Sequence, residues 1–333
     1  EIYTLSLHDA LPIFLASLDA VAPALVLGLD PALACVADLG PQVRPQLLNP
    51  TRAAAEGTPA DFAVPIPGSV SHLQLTSGTT SAPRAAVLSH AALTENIRAI
   101  ARAVRVTERD RLTSWLPLHH DMGLVGGLTW CLYLGLPFRL DPTESFSARP
   151  TGWLENLARF EATLSPNPSF AYHLLGGALS RRVSKETNLA RLRYAWMGAE
   201  PVYAAVIESF HTALAERNLA PQVVRPCFGL AEATLAVTMT PVGAPIRIES
   251  IDARALRESA RAEPAASSSE FALPLVSSGV CIDGVSVQIR DDTAQTLPDR
   301  SVGRIWVQSP SLMSGYHGLP PEAQPITNGW LDT

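Results

Sequence analysis

With 333 residues, 47% of them hydrophobic and 17% charged, the chain has the composition of an ordinary soluble globular protein and the length for two domains. A formal net charge of −6, without any run of Lys or Arg, leaves no electrostatic footprint for nucleic acid or an anionic membrane, so a small-molecule substrate is expected. Cys35, Cys131, Cys227 and Cys281 lie far apart with no metal-ligand spacing, which argues against a secreted disulfide framework and for a reducing, cytoplasmic compartment.

In chain order, Glu1–Ile13 resembles a translated sequencing adapter and is set aside as a non-native leader. From Phe14 to Thr240, strand-like apolar runs alternate with helical patterns, which predicts an α/β domain on a largely parallel sheet. One helix follows Ser89, with Leu93, Ile97, Ile100 and Val104 at helical spacing. A second carries Trp153, Leu154, Leu157 and Phe160, and a third Val202, Val206, Phe210 and Leu214. Strands are predicted at Leu112–Leu116, Leu192–Met197, Val223–Cys227, Val285–Ile289 and Gly303–Gln308. The uncharged stretch Met122–Phe138 is slightly too short for a transmembrane helix and reads as buried core. Pro241, Gly243 and Pro245 open a linker or insertion over 241–278, and short strands over 279–333 predict a small β-rich subdomain. Lys185 is the one lysine and lies in a polar stretch outside every motif.

The sharpest local signal is Thr76-Ser77-Gly78-Thr79-Thr80-Ser81-Ala82-Pro83-Arg84. Backbone N–H groups and hydroxyls can replace phosphate hydration, and Arg84 adds a fixed positive charge. It is not a Walker loop, because the Gly-Lys-Ser/Thr ending is missing. Taken alone, the segment reads equally well as a Ser/Thr-rich hairpin turn.

Four further segments accompany it: Ser114-Trp115-Leu116-Pro117-Leu118-His119-His120-Asp121-Met122-Gly123-Leu124, Gly198-Ala199-Glu200-Pro201-Val202, Pro226-Cys227-Phe228-Gly229-Leu230-Ala231-Glu232-Ala233-Thr234, and Gly303-Arg304-Ile305-Trp306-Val307 followed by Ser314-Gly315-Tyr316. In this order they resemble the adenylate-forming superfamily of acyl-CoA synthetases, luciferases and peptide-synthetase adenylation domains, and most closely its fatty acyl-AMP ligase branch. The resemblance implies the large N-terminal domain of that fold, without its small C-terminal domain. It implies ATP and Mg²⁺ as cofactors, a fatty acid as substrate, and an acyl carrier protein, or a carrier domain of a polyketide or peptide synthase, as partner.

Carried over residue by residue, the resemblance has Thr76, Ser77, Gly78, Thr79, Thr80 and Arg84 on the phosphates. It has adenine between the Gly198, Ala199 and Glu200 backbone and the ring of Phe228, with Gly229 and Ala231 beside it. Glu232 is implied as the Mg²⁺ ligand, against the alternative of a solvated helix-start carboxylate. His120 is implied near the acyl carboxylate and the α-phosphate, although a single His is more often structural. Gly126, Gly127 and the apolar residues around Trp130 read equally as an acyl tunnel or as core. Ser81, Arg84 and Ala85 depart from the family's usual Gly, Lys and Gly, which stiffens the loop and keeps its charge.

In the family, the aspartate that holds the ribose hydroxyls and the lysine of the C-terminal domain come after the last residue here. The expectation is therefore that these 333 residues by themselves do not make acyl-AMP at a useful rate. Two other readings stand beside the ligase: a fatty acyl-CoA synthetase and a catalytically silent binding remnant. The long stretch between Glu232 and Gly279 favours the ligase branch, with Ile248, Ile251 and Leu256 anchoring an excursion over Arg247–Leu275 and Glu263–Glu270 as its polar tip.

Overall fold

A computed structural model describes residues 64–76 and 84–333, together with the backbone of β1 (Leu25–Leu27) and β2 (Gln46–Leu48), which pair in parallel. The leader Glu1–Ile13 and Cys35 lie outside the described residues. The chain divides into two compact units, Glu1–His90 with Ser314–Gln324 and Ala91–Met313 with Pro325–Thr333.

In the first unit, β3 (Val70–Thr76) and β4 (Arg84–Ser89) form an antiparallel pair whose register closes at Thr76 opposite Arg84. The 314–317 segment extends this pair: Ser314 N–H donates to Val87 O and Val87 N–H to Gly315 O, each at 2.9 Å, and His317 N–H donates to Ala85 O at 2.8 Å. Gln324 pins the segment by accepting from Tyr316 N–H at 2.6 Å and donating to Tyr316 O at 2.9 Å.

The second unit is built on a seven-stranded sheet. Its strands are β5 (Leu112–Ser114), β6 (Phe138–Leu140), β7 (Leu164–Pro168), β8 (Tyr194–Gly198), β9 (Val224–Gly229), β10 (Ala236–Met239) and β13 (Val280–Cys281). The order is β6-β5-β7-β8-β9-β10-β13; the first five strands are parallel, β10 runs antiparallel to β9, and β13 runs antiparallel to β10. The expectation of a largely parallel sheet therefore holds for the part that crossover helices connect, while the tight turn after β9 forces β10 to run back.

Both faces are covered, which is why β7 and β8 are buried at every position. Tyr194 and Trp196 of β8 point to one face, where Ile97 and Ile100 of α1 (His90–Val104) pack with Trp130 of α3 (Trp130–Leu134). Ala195 and Met197 point to the other, against Trp153 of α5 (Thr151–Phe160), Tyr172 of α6 (Ser169–Gly176) and Phe210 of α7 (Ala204–Leu214). The period-2 alternation of the strand thus meets an apolar stripe on each helix layer. The short helices α2 (Asp121–Gly123) and α4 (Thr143–Ala148) cross the strand ends, and Val202 precedes α7 rather than lying in it.

The uncharged stretch Met122–Phe138 forms α2, a π-helical turn over Leu124–Thr129, and α3. Its inner side is core: Trp130 is fully buried and its Nε1–H donates to Ile97 O at 3.1 Å. Its outer side corrects the expectation of a wholly buried segment, because Leu132 is 73% exposed. Among the described residues no helix is long and apolar enough to cross a membrane.

A four-stranded antiparallel sheet follows, ordered β14 (Ser286–Arg290), β15 (Arg304–Gln308), β17 (Trp330–Asp332), β16 (Ile326–Thr327). Between the sheets, β11 (Ile248–Asp252) pairs antiparallel with β12 (Ala272–Val276), and α8 (Ala253–Ser259), capped by Asp252, leads into an exposed tip. Ile251 anchors this excursion at 1% exposure, Leu256 is half-buried, and Ile248, expected to be an anchor, is 50% exposed. Register explains the difference, since neighbouring positions alternate faces along β11.

Candidate active site

Along the parallel strands, the chain passes from β5 outward to β6, then returns to the other side of β5 with β7 and proceeds to β8 and β9. The direction of winding reverses between β5 and β7, and in such sheets the crevice outside the carboxyl ends of the two strands is the natural ligand site. Three of the motif segments leave the sheet at or beside this crevice, after Ser114, Gly198 and Gly229, and the chain leaves it there again after Pro168.

After β5, Trp115 and Leu116 are buried and Leu118–His120 emerge. Trp115 stacks on Phe146 with ring centres 3.7 Å apart and meets Phe170 edge-on at 5.9 Å, so the floor of the turn is an aromatic cluster. A pocket of about 250 Å³ lies alongside, lined by Leu116, Pro117, Leu118 and the 140–143 segment at the end of β6. Two buried polar atoms near the strand ends, Trp115 Nε1 and Asn167 Oδ1, have no hydrogen-bond partner.

His120 sits at the N-terminus of α2, with Nδ1 2.8 Å from Asp121 Oδ1 and 3.2 Å from Met122 N. The hydrogen bond to Asp121 outweighs partial burial and raises the His120 pKa above the ordinary histidine value. Gly123 closes the turn because only a residue without a side chain fits: a Cβ there would lie 2.3 Å from Pro117 O.

After β8, the backbone turns at Ala199, whose φ of 63° is left-handed and carries a conformational cost for a non-glycine residue. The turn exposes Glu200, and its Oε2 accepts from Phe170 N–H at 3.2 Å, so this carboxylate caps the first turn of α6. Gly198 is buried against Cys227 of the neighbouring strand. Phe228 is half-buried and packs against a small cluster of Ala233, Val237 and Val307. Gly229 permits the tight return to β10, since a Cβ there would fall 1.9 Å from Leu235 O.

Glu232 lies half-buried in a 3-10 turn, Ala231–Ala233, and its carbonyl accepts from Met313 N–H at 2.8 Å. No group of three His, Cys, Asp or Glu side chains gathers among the described residues. A single carboxylate suits Mg²⁺, which usually takes one or two carboxylates and completes its shell with phosphate oxygens and water. Burial pushes the Cys131 and Cys227 thiols up to about 12, so neither is a thiolate nucleophile near neutral pH.

His120, Gly198, Ala199, Glu200, Phe228, Gly229, Ala231 and Glu232 thus belong to the second unit, around the carboxyl ends of its strands and the turn after β9. Thr76 and Arg84 belong to the first unit, where Thr76 Oγ1 donates to Arg84 O at 3.4 Å and the Arg84 guanidinium lies 5.2 Å from the centre of the Tyr316 ring. Ser77, Gly78, Thr79 and Thr80 lie outside the described residues. Sequence reasoning missed Asn96 and Ser311, which together with Thr234 hold the Glu232 turn. The available signal was a polar Asn one position from Ile97, on the apolar stripe of α1.

Three comparisons bear on this arrangement. The model of the AMP-binding enzyme family matches residues 16–317. The chain is 36% identical over 265 residues to a protein of Caulobacter vibrioides with the provisional name acyl-CoA synthetase, covering 79% of this chain and 46% of that protein. It is 34% identical over 256 residues to a medium-chain-fatty-acid–[acyl-carrier-protein] ligase of Teredinibacter turnerae, covering 76% of this chain and 39% of the ligase. A solved structure from work on the fatty acyl-adenylate ligases of E. coli and L. pneumophila superposes with a TM-score of 0.89 at 29% identity, over 99% of this chain and 60% of that one. The chain therefore spans about half the length of the curated relatives it matches.

Proposed function

The chain belongs to the AMP-binding enzyme family, and on that premise we propose that it carries the nucleotide- and acyl-binding core of an ATP-dependent ligase that activates a fatty acid as acyl-AMP. The observation that carries this reading is the crevice at the β5/β7 reversal, which has an aromatic floor, an apolar pocket and a histidine with raised pKa on one side. Across the sheet, after β8 and β9, come the Ala199 turn and the Glu232 turn.

In this reading the fatty-acid carboxylate attacks the α-phosphorus of ATP in line, an oxygen–phosphorus bond forms, the bond to the bridging oxygen breaks, and pyrophosphate leaves. His120, in its charged form, offsets negative charge where the carboxylate and the α-phosphate meet. The backbone from Gly198 to Glu200 and the ring of Phe228 bind adenine. The family resemblance assigns Thr76, Arg84 and the hydroxyl-rich sequence between them, which lies outside the described residues, to the β- and γ-phosphates. Glu232 would hold Mg²⁺, which when bound would supply positive charge to stabilise the departing pyrophosphate. The acyl group then passes to the phosphopantetheine thiol of an acyl carrier protein or carrier domain, a reading supported by the likeness to the Teredinibacter ligase. The name of the Caulobacter relative favours a second reading, with coenzyme A as the acceptor.

Pyrophosphate exchange into ATP by the full-length protein should depend on added fatty acid. Glu232→Gln should lower it by roughly two to three orders of magnitude, the scale for losing one electrostatic contact to a transition state, with an unchanged circular dichroism spectrum. Exchange that ignores fatty acid overturns the proposed reaction, and near-normal exchange by the Gln variant overturns the role of Glu232.

A further inference from the structure

The turn that directly follows Glu232 is strained and clamped. Thr234 has φ 72° and ψ −55°, and Leu235 N–H donates to Ala233 O at 2.9 Å across it. These are the marks of a γ-turn of the rare, strained kind, here at a β-branched residue for which positive φ is a genuine outlier. A conformation costing on the order of 1–3 kcal/mol persists only where its surroundings over-determine it.

Those surroundings converge on Asn96, a buried residue in the middle of α1. Its Oδ1 accepts from Ala236 N–H at 3.0 Å, and its Nδ2 donates to Ala236 O at 2.9 Å, to Ser311 Oγ at 3.0 Å and, more weakly, to Ala233 O at 3.3 Å. The backbone donor and acceptor of Ala236 fix which way round the amide stands. Ser311 completes the clamp: its Oγ donates to Ala233 O at 3.3 Å and its carbonyl accepts from Thr234 Oγ1 at 2.7 Å. Met313 N–H binds the Glu232 carbonyl itself. Every polar group of the Asn96 side chain is therefore spent on Ala233 and Ala236, which flank Thr234 and Leu235, and on the segment that grips Thr234.

We infer that Asn96 is a positioning residue for Glu232. Its amide holds the strained turn shut, and so sets the height and direction of the carboxylate on the metal and phosphate side of the site. This rests on Glu232 being the metal-binding group proposed above. The position of a carboxylate donated by one short turn matters more for Mg²⁺ than it would for a more adaptable cation, because Mg²⁺ demands near-ideal octahedral geometry. Outer partners that orient a ligand typically govern metal affinity by about 10- to 100-fold.

The test uses the full-length protein and measures pyrophosphate exchange across a Mg²⁺ titration and, independently of turnover, Mn²⁺ binding followed by electron paramagnetic resonance with ATP present and fatty acid absent, with active-site concentration determined for each variant. Glu232→Gln, Asn96→Ala, Asn96→Asp and Thr234→Gly are compared. The inference predicts that Asn96→Ala and Asn96→Asp raise the half-saturating Mg²⁺ concentration about tenfold or more, with little change in the KM for fatty acid. Asp keeps an acceptor for Ala236 N–H but sets a second oxygen against Ala233 O and Ala236 O, so it should not rescue Ala. Adding Thr234→Gly to Asn96→Ala, which removes the strain the amide resists, should restore part of the Mg²⁺ response. If the Asn96 variants lose only the fraction of active protein while the survivors keep a normal Mg²⁺ curve, Asn96 is structural and the inference falls. If Glu232→Gln also leaves the Mg²⁺ curve unchanged, the metal role of Glu232 has failed instead. Should the Asn96 variants not fold, Ser311→Ala decides, because it removes the hydroxyl that accepts from the Asn96 amide and donates to Ala233 O: a Mg²⁺ response identical to that of the unaltered protein overturns the clamp.

Discussion

At the scale of single residues, the site is organised by groups whose surroundings leave them few alternatives. His120 is the clearest case for pH. The hydrogen bond to Asp121 raises its pKa above the ordinary histidine value, so its charged form is favoured in the folded protein. The contribution to stability is then complete below the ordinary pKa and is lost as pH rises through the raised one. Because the side chain is 47% exposed, solvent screens this contribution, and catalysis is the more sensitive readout. If the charge assists adenylation, kcat/KM for ATP should fall as pH rises through that raised value. In His120→Gln this limb of the profile should vanish and the rate below it should drop. An unchanged profile in the Gln variant would remove His120 from the reaction.

At the scale of elements, the parallel strands are tied together at the ends opposite the crevice. Asp110 stands just before β5, Thr163 just before β7 and Arg193 just before β8. Arg193 grips Asp110 with two bonds, Nε to Oδ1 at 2.7 Å and Nη2 to Oδ2 at 2.6 Å. Thr163 Oγ1 donates to Asp110 Oδ1 at 2.7 Å, and Arg193 Nη1 reaches the last carbonyl of α1, that of Val104, at 2.9 Å. Burial of Asp110 raises its pKa, but the hydrogen bonds from Arg193, Thr163 and Thr107 N–H outweigh it and hold the pKa below the usual carboxylate value. A group depressed in this way stabilises the fold above its unfolded pKa and loses that contribution as pH falls through the folded value. Arg193→Met should leave the buried carboxylate without its counter-charge and cost roughly 2–4 kcal/mol, at the lower end of the range for breaking a buried pair because Arg193 is partly exposed. The loss should appear as a lower urea midpoint at neutral pH and shrink in acid, where Asp110 is protonated in both proteins. A midpoint equal to that of the unaltered protein would show that the pair contributes no net stability.

At the scale of the whole molecule, the acceptor is the open choice, and the 248–276 excursion bears on it. It is an ordered pair of strands held to the chain before β15: Arg300 donates to Ala262 O at 2.9 Å and to Glu249 Oε1 at 2.6 Å, and Val302 N–H donates to Ala260 O at 2.8 Å. The resemblance to the fatty acyl-AMP ligase branch implies an insertion at this place, and we propose that it opposes the rearrangement that builds a coenzyme A site. Deleting Arg247–Leu275 in the full-length protein should therefore raise acyl-CoA formation while acyl-AMP formation persists. Efficient acyl-CoA synthesis by the undeleted protein would move the chain to the synthetase reading.

The sequence by itself determined the α/β alternation, the crossover helices and the ordered motifs, because period-2 and period-3.6 burial and turn chemistry are local properties. It also singled out His120, Glu232 and the Gly198–Glu200 turn as the residues to examine. Tertiary structure decided what local patterns cannot carry. The reversal between β5 and β7 depends on strand order, which no single segment encodes. Ile248 turned outward because the register of β11 on β12 is set by pairing across the excursion. The clamp on the Glu232 turn joins Asn96 to Ala236, 140 residues apart, and Asp110 meets Arg193 across 83. Polar groups must find partners when they are buried, and which partner each one finds is settled only when the chain has packed.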